Sequence, residues 1–109
     1  MGKSGLFKPP RHKWVAKIVS FENPEKARKS AKKLLTMLER GRKGSRKIGK
    51  KTALVILRSL YYAANRAKAA AKRRNLSAKE KRELKRISKI YRKAAEKASK
   101  IYDKKYAED

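Results

Sequence analysis

The 109-residue chain contains no cysteine, and its single histidine, His12, lies in a basic segment. Disulfides, thiolate nucleophiles and Cys/His metal sites are thereby excluded. Only nine carboxylates are present, scattered among 35 lysines and arginines. Glu80 and Glu83 fall on one helical turn, but Lys79, Lys81 and Arg82 surround them and no partner set for acid/base work exists. No catalytic residue, metal ligand, cofactor or small-molecule substrate is therefore expected. Long apolar runs are missing too: the longest, residues 53–57 and 60–64, fall far short of the ~20 residues that span a bilayer. No membrane-spanning segment is expected, and the lysine-bearing start lacks the apolar core of a signal peptide. Aromatic residues are few, at 7%. With no single-strand-binding signature beside them, stacking of Tyr61, Tyr62, Tyr91, Tyr102 or Tyr106 on bases is not the expected main mode.

What the chain has in excess is positive charge, a formal net +26. Such a charge repels itself in the folded state unless a polyanion neutralises it. Duplex DNA carries one negative charge per about 1.7 Å, so this excess matches the phosphates of about a dozen base pairs. That suits a protein that coats or packages nucleic acid better than one that reads a short site.

Along the chain, residues 1–23 read as an extended basic arm. Pro9 and Pro10 forbid helix there, and residues 14–21 form the longest strand-like stretch. A helix then starts at Asn23, Pro24 and Glu25, which supply a cap, a first-position proline and a charge that suits the helix dipole. Its stripe Ala27, Ala31, Leu34, Leu35 and Leu38 predicts a helix over 24–40, stopped by Gly41. Residues 40–51 carry seven cations and three glycines, and 41–51 read as a flexible basic loop. A second, more apolar helix is expected over 52–74. A third, over 78–105, begins at the capping box of Ser77 and Glu80, with Leu76 as a staple. Its seam of Leu84, Ile87, Tyr91, Ala94, Ala98 and Ile101, widened by Tyr102, repeats at three and four. At 1.5 Å per residue this rod spans about 42 Å, which invites packing against a neighbouring subunit. The expected class is all-α: an arm followed by three or four helices in a hairpin-like arrangement.

Arg40, Arg42, Lys43, Arg46, Lys47, Lys50 and Lys51 fall in a stretch, residues 40–51, that contains no acid, so nothing within it neutralises them. With Lys72, Arg73 and Arg74 they are the main candidates for phosphate contact. Arg11, Lys13, Lys17, Arg58 and Arg66 complete the expected nucleic-acid-binding set.

Lys13-Trp14, Ala16-Lys17, Phe21, Asn23-Pro24 and Ala27 together resemble the N-terminal segment of the coat proteins of rod-shaped and filamentous archaeal viruses, of the tristromavirus, lipothrixvirus and rudivirus type. There a K-W-x-A-K-x-x-x-F-x-N-P-x-x-A pattern precedes the first helix. The likeness covers about fifteen residues, and this chain is shorter and far more basic than the rod-shaped examples. It implies an α-helical capsid protein of hyperthermophile viruses that pairs with itself or with a second, related coat protein. Such pairs stack into a helical filament around linear double-stranded DNA held in the A form. The implied location is the virion, with the host cytoplasm before assembly. On that view Trp14, Val15, Ile18 and Phe21 lie over a neighbour's helices, while Leu84, Ile87, Tyr91, Ile101 and Tyr102 form a subunit seam. Removing residues 1–23 should then leave a helical, DNA-binding protein that no longer forms regular filaments. The same composition fits an archaeal ribosomal or ribosome-associated RNA-binding protein, a cellular chromatin protein, or a helical adaptor with an acidic protein partner. A-form geometry and phosphate contacts serve DNA and RNA alike.

Overall fold

A computed structural model describes residues 13–106 and arranges them, in chain order, as a short helix α1 (Lys13–Ile18), helix α2 (Pro24–Arg40), strands β1 (Arg42–Lys43) and β2 (Arg46–Lys47), helix α3 (Lys50–Ala70) and helix α4 (Ala78–Lys105). The start and stop residues of α2 and α4 do what their chemistry requires. Asn23 Oδ1 accepts the Lys26 N–H at 2.8 Å, and Pro24 takes the first helical position. Gly41, at φ 70°, closes α2 by donating its N–H to the Met37 carbonyl at 2.8 Å. Both halves of the Ser77/Glu80 capping box form, at 2.9 and 3.1 Å. The backbone and side-chain hydrogen bonds from Ser77 hold the Glu80 carboxyl below its ordinary range.

α4 is the shared wall of the fold. Both α2 and α3 pack along it, whereas α2 and α3 meet each other at few points. Ser88 on α4 donates to the Ala64 carbonyl of α3 at 2.8 Å. Tyr106, just past α4, donates to the Leu38 carbonyl near the end of α2 at 2.9 Å. α3 therefore runs antiparallel to α4, and α2 runs parallel to it. The core is built from Leu34 and Leu38 of α2, Ile56 and Leu60 of α3, and Ile87 and Tyr91 of α4, all fully buried. Between them sit Ala53, Ala63, Ala64, Ala67, Ala94, Ala95 and Ala98. These small side chains let the α3 and α4 backbones approach closely, which is how a chain of this size gathers a core from few large residues.

Three boundaries differ from the sequence-based expectation. Residues 13–18 are helical rather than extended; Trp14, Val15 and Ile18 then fall on one helical face and pack on the core, which outweighs the β-branched character of the stretch. Residues 1–12 of the expected arm lie outside the described residues. The basic loop is folded in part as a β1–β2 hairpin, Arg42 opposite Lys47 and Lys43 opposite Arg46. Gly44, at φ 64°, opens its two-residue turn, and Ile48, buried, anchors its base by donating to the Gly41 carbonyl at 2.9 Å. Finally, α3 begins two residues early and ends at Ala70 rather than 74. No glycine or proline marks that stop. The chain has to reverse so that the α4 capping box can form, and the helix tightens through i→i+3 bonds from Lys72 and Arg73 as it turns.

The strip from Trp14 to Phe21 fills the space that α2 and α3 leave open above α4. Tyr91, at 0% exposure, donates its hydroxyl to the Ser20 carbonyl at 2.6 Å and accepts the Ser20 N–H at 2.9 Å. Ser30 of α2 donates to the Ile18 carbonyl, sharing its proton with Lys26 O. The Phe21 ring tilts against Tyr91 at a centroid distance of 5.8 Å.

Candidate nucleic-acid interface

Among the described residues only two ion pairs form: Lys26 with Glu22 at 2.8 Å and Arg92 with Glu96 at 3.9 Å, both between exposed side chains. Pairs of this kind contribute little. No other ion pair within 4.0 Å forms between described side chains.

A carboxylate-free gathering of cations lies on the outer face of α2. Lys29, Lys33 and Arg40 project from the same side of the helix, spaced by four and seven residues, with Lys32 beside them. Together with Arg42 of the hairpin they line one shallow depression whose remaining lining is Thr36, Met37 and Gly44, with no carboxylate. An adjoining depression gathers Arg40, Arg42, Lys47 and Lys105, with Glu39 at its edge. The end of α2 is fixed in place from below. Lys105 Nζ donates to the Glu39 carbonyl and Tyr106 to that of Leu38, so two carbonyls of the last turn are satisfied and Arg40 is held at the hairpin's base.

Within the hairpin, cations sit directly opposite cations, an arrangement that disfavours the ladder unless anions intervene. Lys43 escapes by placing its Nζ 4.1 Å from the centroid of the Trp14 ring. The first turn of α3 repeats the conflict. It holds Lys50 and Lys51, no acid, and no side-chain cap at Gly49, although the positive end of a helix dipole disfavours cations. A phosphate beside these residues would relieve both conflicts.

The expected binding residues divide accordingly. Arg40, Arg42 and Lys47 are brought together, with Arg46, Lys50 and Lys51 exposed on the adjoining hairpin and helix start. Arg58 is exposed at the middle of α3, and Lys17 is exposed on α1. Arg66 is exposed and lies 5.6 Å from the Phe21 ring centroid. Lys72, Arg73 and Arg74 are exposed in the α3–α4 connection, outside any helix and apart from the α2 cluster. Lys13 opens α1, and Arg11 lies outside the described residues. The sequence reading passed over Lys29, Lys32 and Lys33, because it weighed cations by local density. Their spacing on the face of α2 away from its apolar stripe was the available signal.

Three residues of the expected subunit seam belong to the interior of this chain instead. Val15, Ile87 and Tyr91 are at most 1% exposed inside this chain's own core. Trp14, Ile18 and Phe21 pack half-buried against that same core, as do Leu84, Ile101 and Tyr102. The apolar strip expected to cover a neighbour's helices closes its own. Among the described residues no cluster of three or more metal-ligating side chains exists, and no helix is long and apolar enough to cross a membrane. No protein-family model, curated protein or solved structure matches the chain.

Proposed function

We propose that this protein is a structural nucleic-acid-coating protein that holds a duplex through its phosphates without reading base sequence. The observation that carries the proposal is the carboxylate-free cation cluster of Lys29, Lys32, Lys33, Arg40 and Arg42, continued by the hairpin. Cations on a rigid helix and a short hairpin suit a repeating backbone of charge. Apart from Arg40 and Arg42, which serve phosphate as well as base edges, the lining holds no Asn, Gln or carboxylate from which a pattern of base recognition is built. Binding would release counterions and remove the like-charge repulsion within the hairpin at one stroke. The form of coating implied by the resemblance around Trp14 and Pro24 is a helical filament on linear double-stranded DNA, with RNA as the competing polyanion.

The test is fluorescence anisotropy on random-sequence 24-base-pair DNA and RNA duplexes across a salt series. Log Kobs should fall steeply with log salt and differ little among sequences. Replacing Lys29, Lys33, Arg40 and Arg42 by glutamine should make the slope shallower by about 0.9 per lost phosphate contact, hence by about three to four. A slope unchanged by the four replacements, or strong preference for one DNA sequence, would refute the proposal. Tighter binding of the RNA duplex by tenfold or more would move it to RNA. Filament formation is read separately, by electron microscopy of the protein on linear DNA. The deletion to use there removes residues 2–12, because a deletion to residue 23 would also take Val15 and the Ser20 clamp out of the core.

A further inference from the structure

The two flanks of the α2–α4 pair are unlike. On the flank facing Ser30, the Trp14–Phe21 strip covers the gap. The opposite flank holds an open groove of about 700 Å³ that nothing among the described residues covers. Its floor is aliphatic, with Leu35 on α2 and Ile90 and Ile101 on α4, each left half-buried. Its rims carry Arg28 and Lys32 on one side and Lys93, Lys97 and Lys100 on the other, against Glu39 alone. Phosphate backbones gain nothing from an aliphatic floor, so this groove differs in kind from the adjoining cation cluster on the outer face of α2, with which it shares Lys32 and Thr36.

We propose that the groove is a docking site for an acidic amphipathic helix of a partner protein. The floor runs between Arg28 and Glu39 on α2 and between Ile90 and Ile101 on α4, about 17 Å at 1.5 Å per residue, or three helical turns. A guest helix with apolar anchors at i, i+4, i+7 and i+11, about 17 Å from first to last, would lay them along the floor of Leu35, Ile90 and Ile101, in the helix-in-groove mode. Carboxylates flanking that stripe would meet a row of cations on each rim. Charge selects against the other occupants at hand. A second copy of this chain brings +26, and residues 1–12, which contain Leu6 and Phe7, carry Lys3, Lys8 and Arg11 with no acid. The inference stands apart from the nucleic-acid proposal, since its floor of Leu35, Ile90 and Ile101 and its α4 rim lie outside the cation cluster, the two sharing only Lys32 and Thr36.

The probe is a fluorescein-labelled 18-residue peptide of leucine, glutamate and alanine with its leucines on one helical stripe. The control has the same composition with the leucines distributed around the helix. The full chain should bind the striped peptide at least tenfold more tightly than the control at 150 mM salt. Leu35→Ala should abolish that discrimination while duplex DNA affinity stays within twofold. K93E/K97E, at exposed positions that folding does not need, should weaken the striped peptide at least tenfold and so keeps the test decisive if the Leu35 variant unfolds. Equal binding of the two peptides would overturn the proposal. So would a loss of DNA affinity in K93E/K97E as large as the loss of peptide affinity, which would make the groove a phosphate site. Binding of phosphatidylglycerol vesicles that depends on Leu35, without discrimination between the peptides, would overturn it in favour of a lipid.

Discussion

Replacing Tyr91 by phenylalanine isolates the polar clamp that holds the N-terminal strip on the bundle. The substitution keeps the buried ring and its tilted contact with Phe21 and deletes only the hydroxyl. Two hydrogen bonds to one residue go with it, from the Ser20 N–H at 2.9 Å and to the Ser20 carbonyl at 2.6 Å. Each is worth about 1 kcal/mol net, and an unpaired buried group costs up to about 3 kcal/mol. Because Ser20 is only half-buried, water can serve part of it, and the lower figure applies to each bond. The total is about 2 kcal/mol. A 109-residue domain unfolds with an entropy of about 0.23 kcal/mol/K near its midpoint, so Tm should fall by about 9 °C. Circular dichroism at 222 nm reads the global melt, and Trp14, the only tryptophan, reports the strip. A fall of less than 3 °C with unchanged Trp14 emission would refute the claim that Tyr91 fastens the strip.

The same hydroxyl predicts alkaline behaviour. Burial pushes the Tyr91 phenol above its ordinary value, against the opposing bond from Ser20. Its contribution is complete below the unfolded phenol's pKa near 10 and is lost as pH rises through the higher folded value, so the wild-type stability curve should fall more steeply above pH 10 than that of Tyr91→Phe. At the acid end the sign reverses: Glu80 is held below its ordinary range, so its contribution is present at neutral pH and is lost as pH falls through the folded value. Glu80→Gln should accordingly narrow the difference in Tm between pH 6 and pH 3. Gly41→Ala places a side chain at φ 70° with only an ordinary 3.5 Å contact to Tyr106, so the cost is backbone strain of about 1–2 kcal/mol, read as a Tm lower by about 4–9 °C. Gly49→Ala, in open space at φ −101°, should leave Tm unchanged or raise it.

The long helices were legible wherever a local signal coincided with a tertiary need. Asn23, Pro24, Gly41, Ser77 and Glu80 act through groups within four residues of themselves, so the ends they set needed no knowledge of the rest of the chain. The end of α3 had no such signal, because the decision belongs to α4 packing back on it. The strip was misassigned for a related reason. Val15, Ile18 and Val19 carry branched side chains that suit a strand, and only the unfilled space between α2 and α3 makes a short helix the better use of them. The cation cluster was half legible. Arg40 and Arg42 stood out by crowding, whereas Lys29 and Lys33 join them only once α2 is wound and the hairpin folds back beside it. The groove between α2 and α4 could not be read from sequence, since Leu35, Ile90 and Ile101 look like ordinary stripe residues until the bundle leaves them uncovered.

That α2 and α3 both lean on α4 but scarcely on each other sets an order of events during synthesis. α2 leaves the ribosome with Leu34 and Leu38 ready to be buried, yet the surface that will bury them is made last, some forty to sixty residues later. Until then a strongly cationic nascent chain exposes an oily ridge beside ribosomal RNA. The α3–α4 pair, which carries the most extensive packing, should form first, with α2 joining once α4 is in place. Shortening the chain from its C-terminal end should therefore cost the cell more soluble protein than shortening it by an equal length from the start.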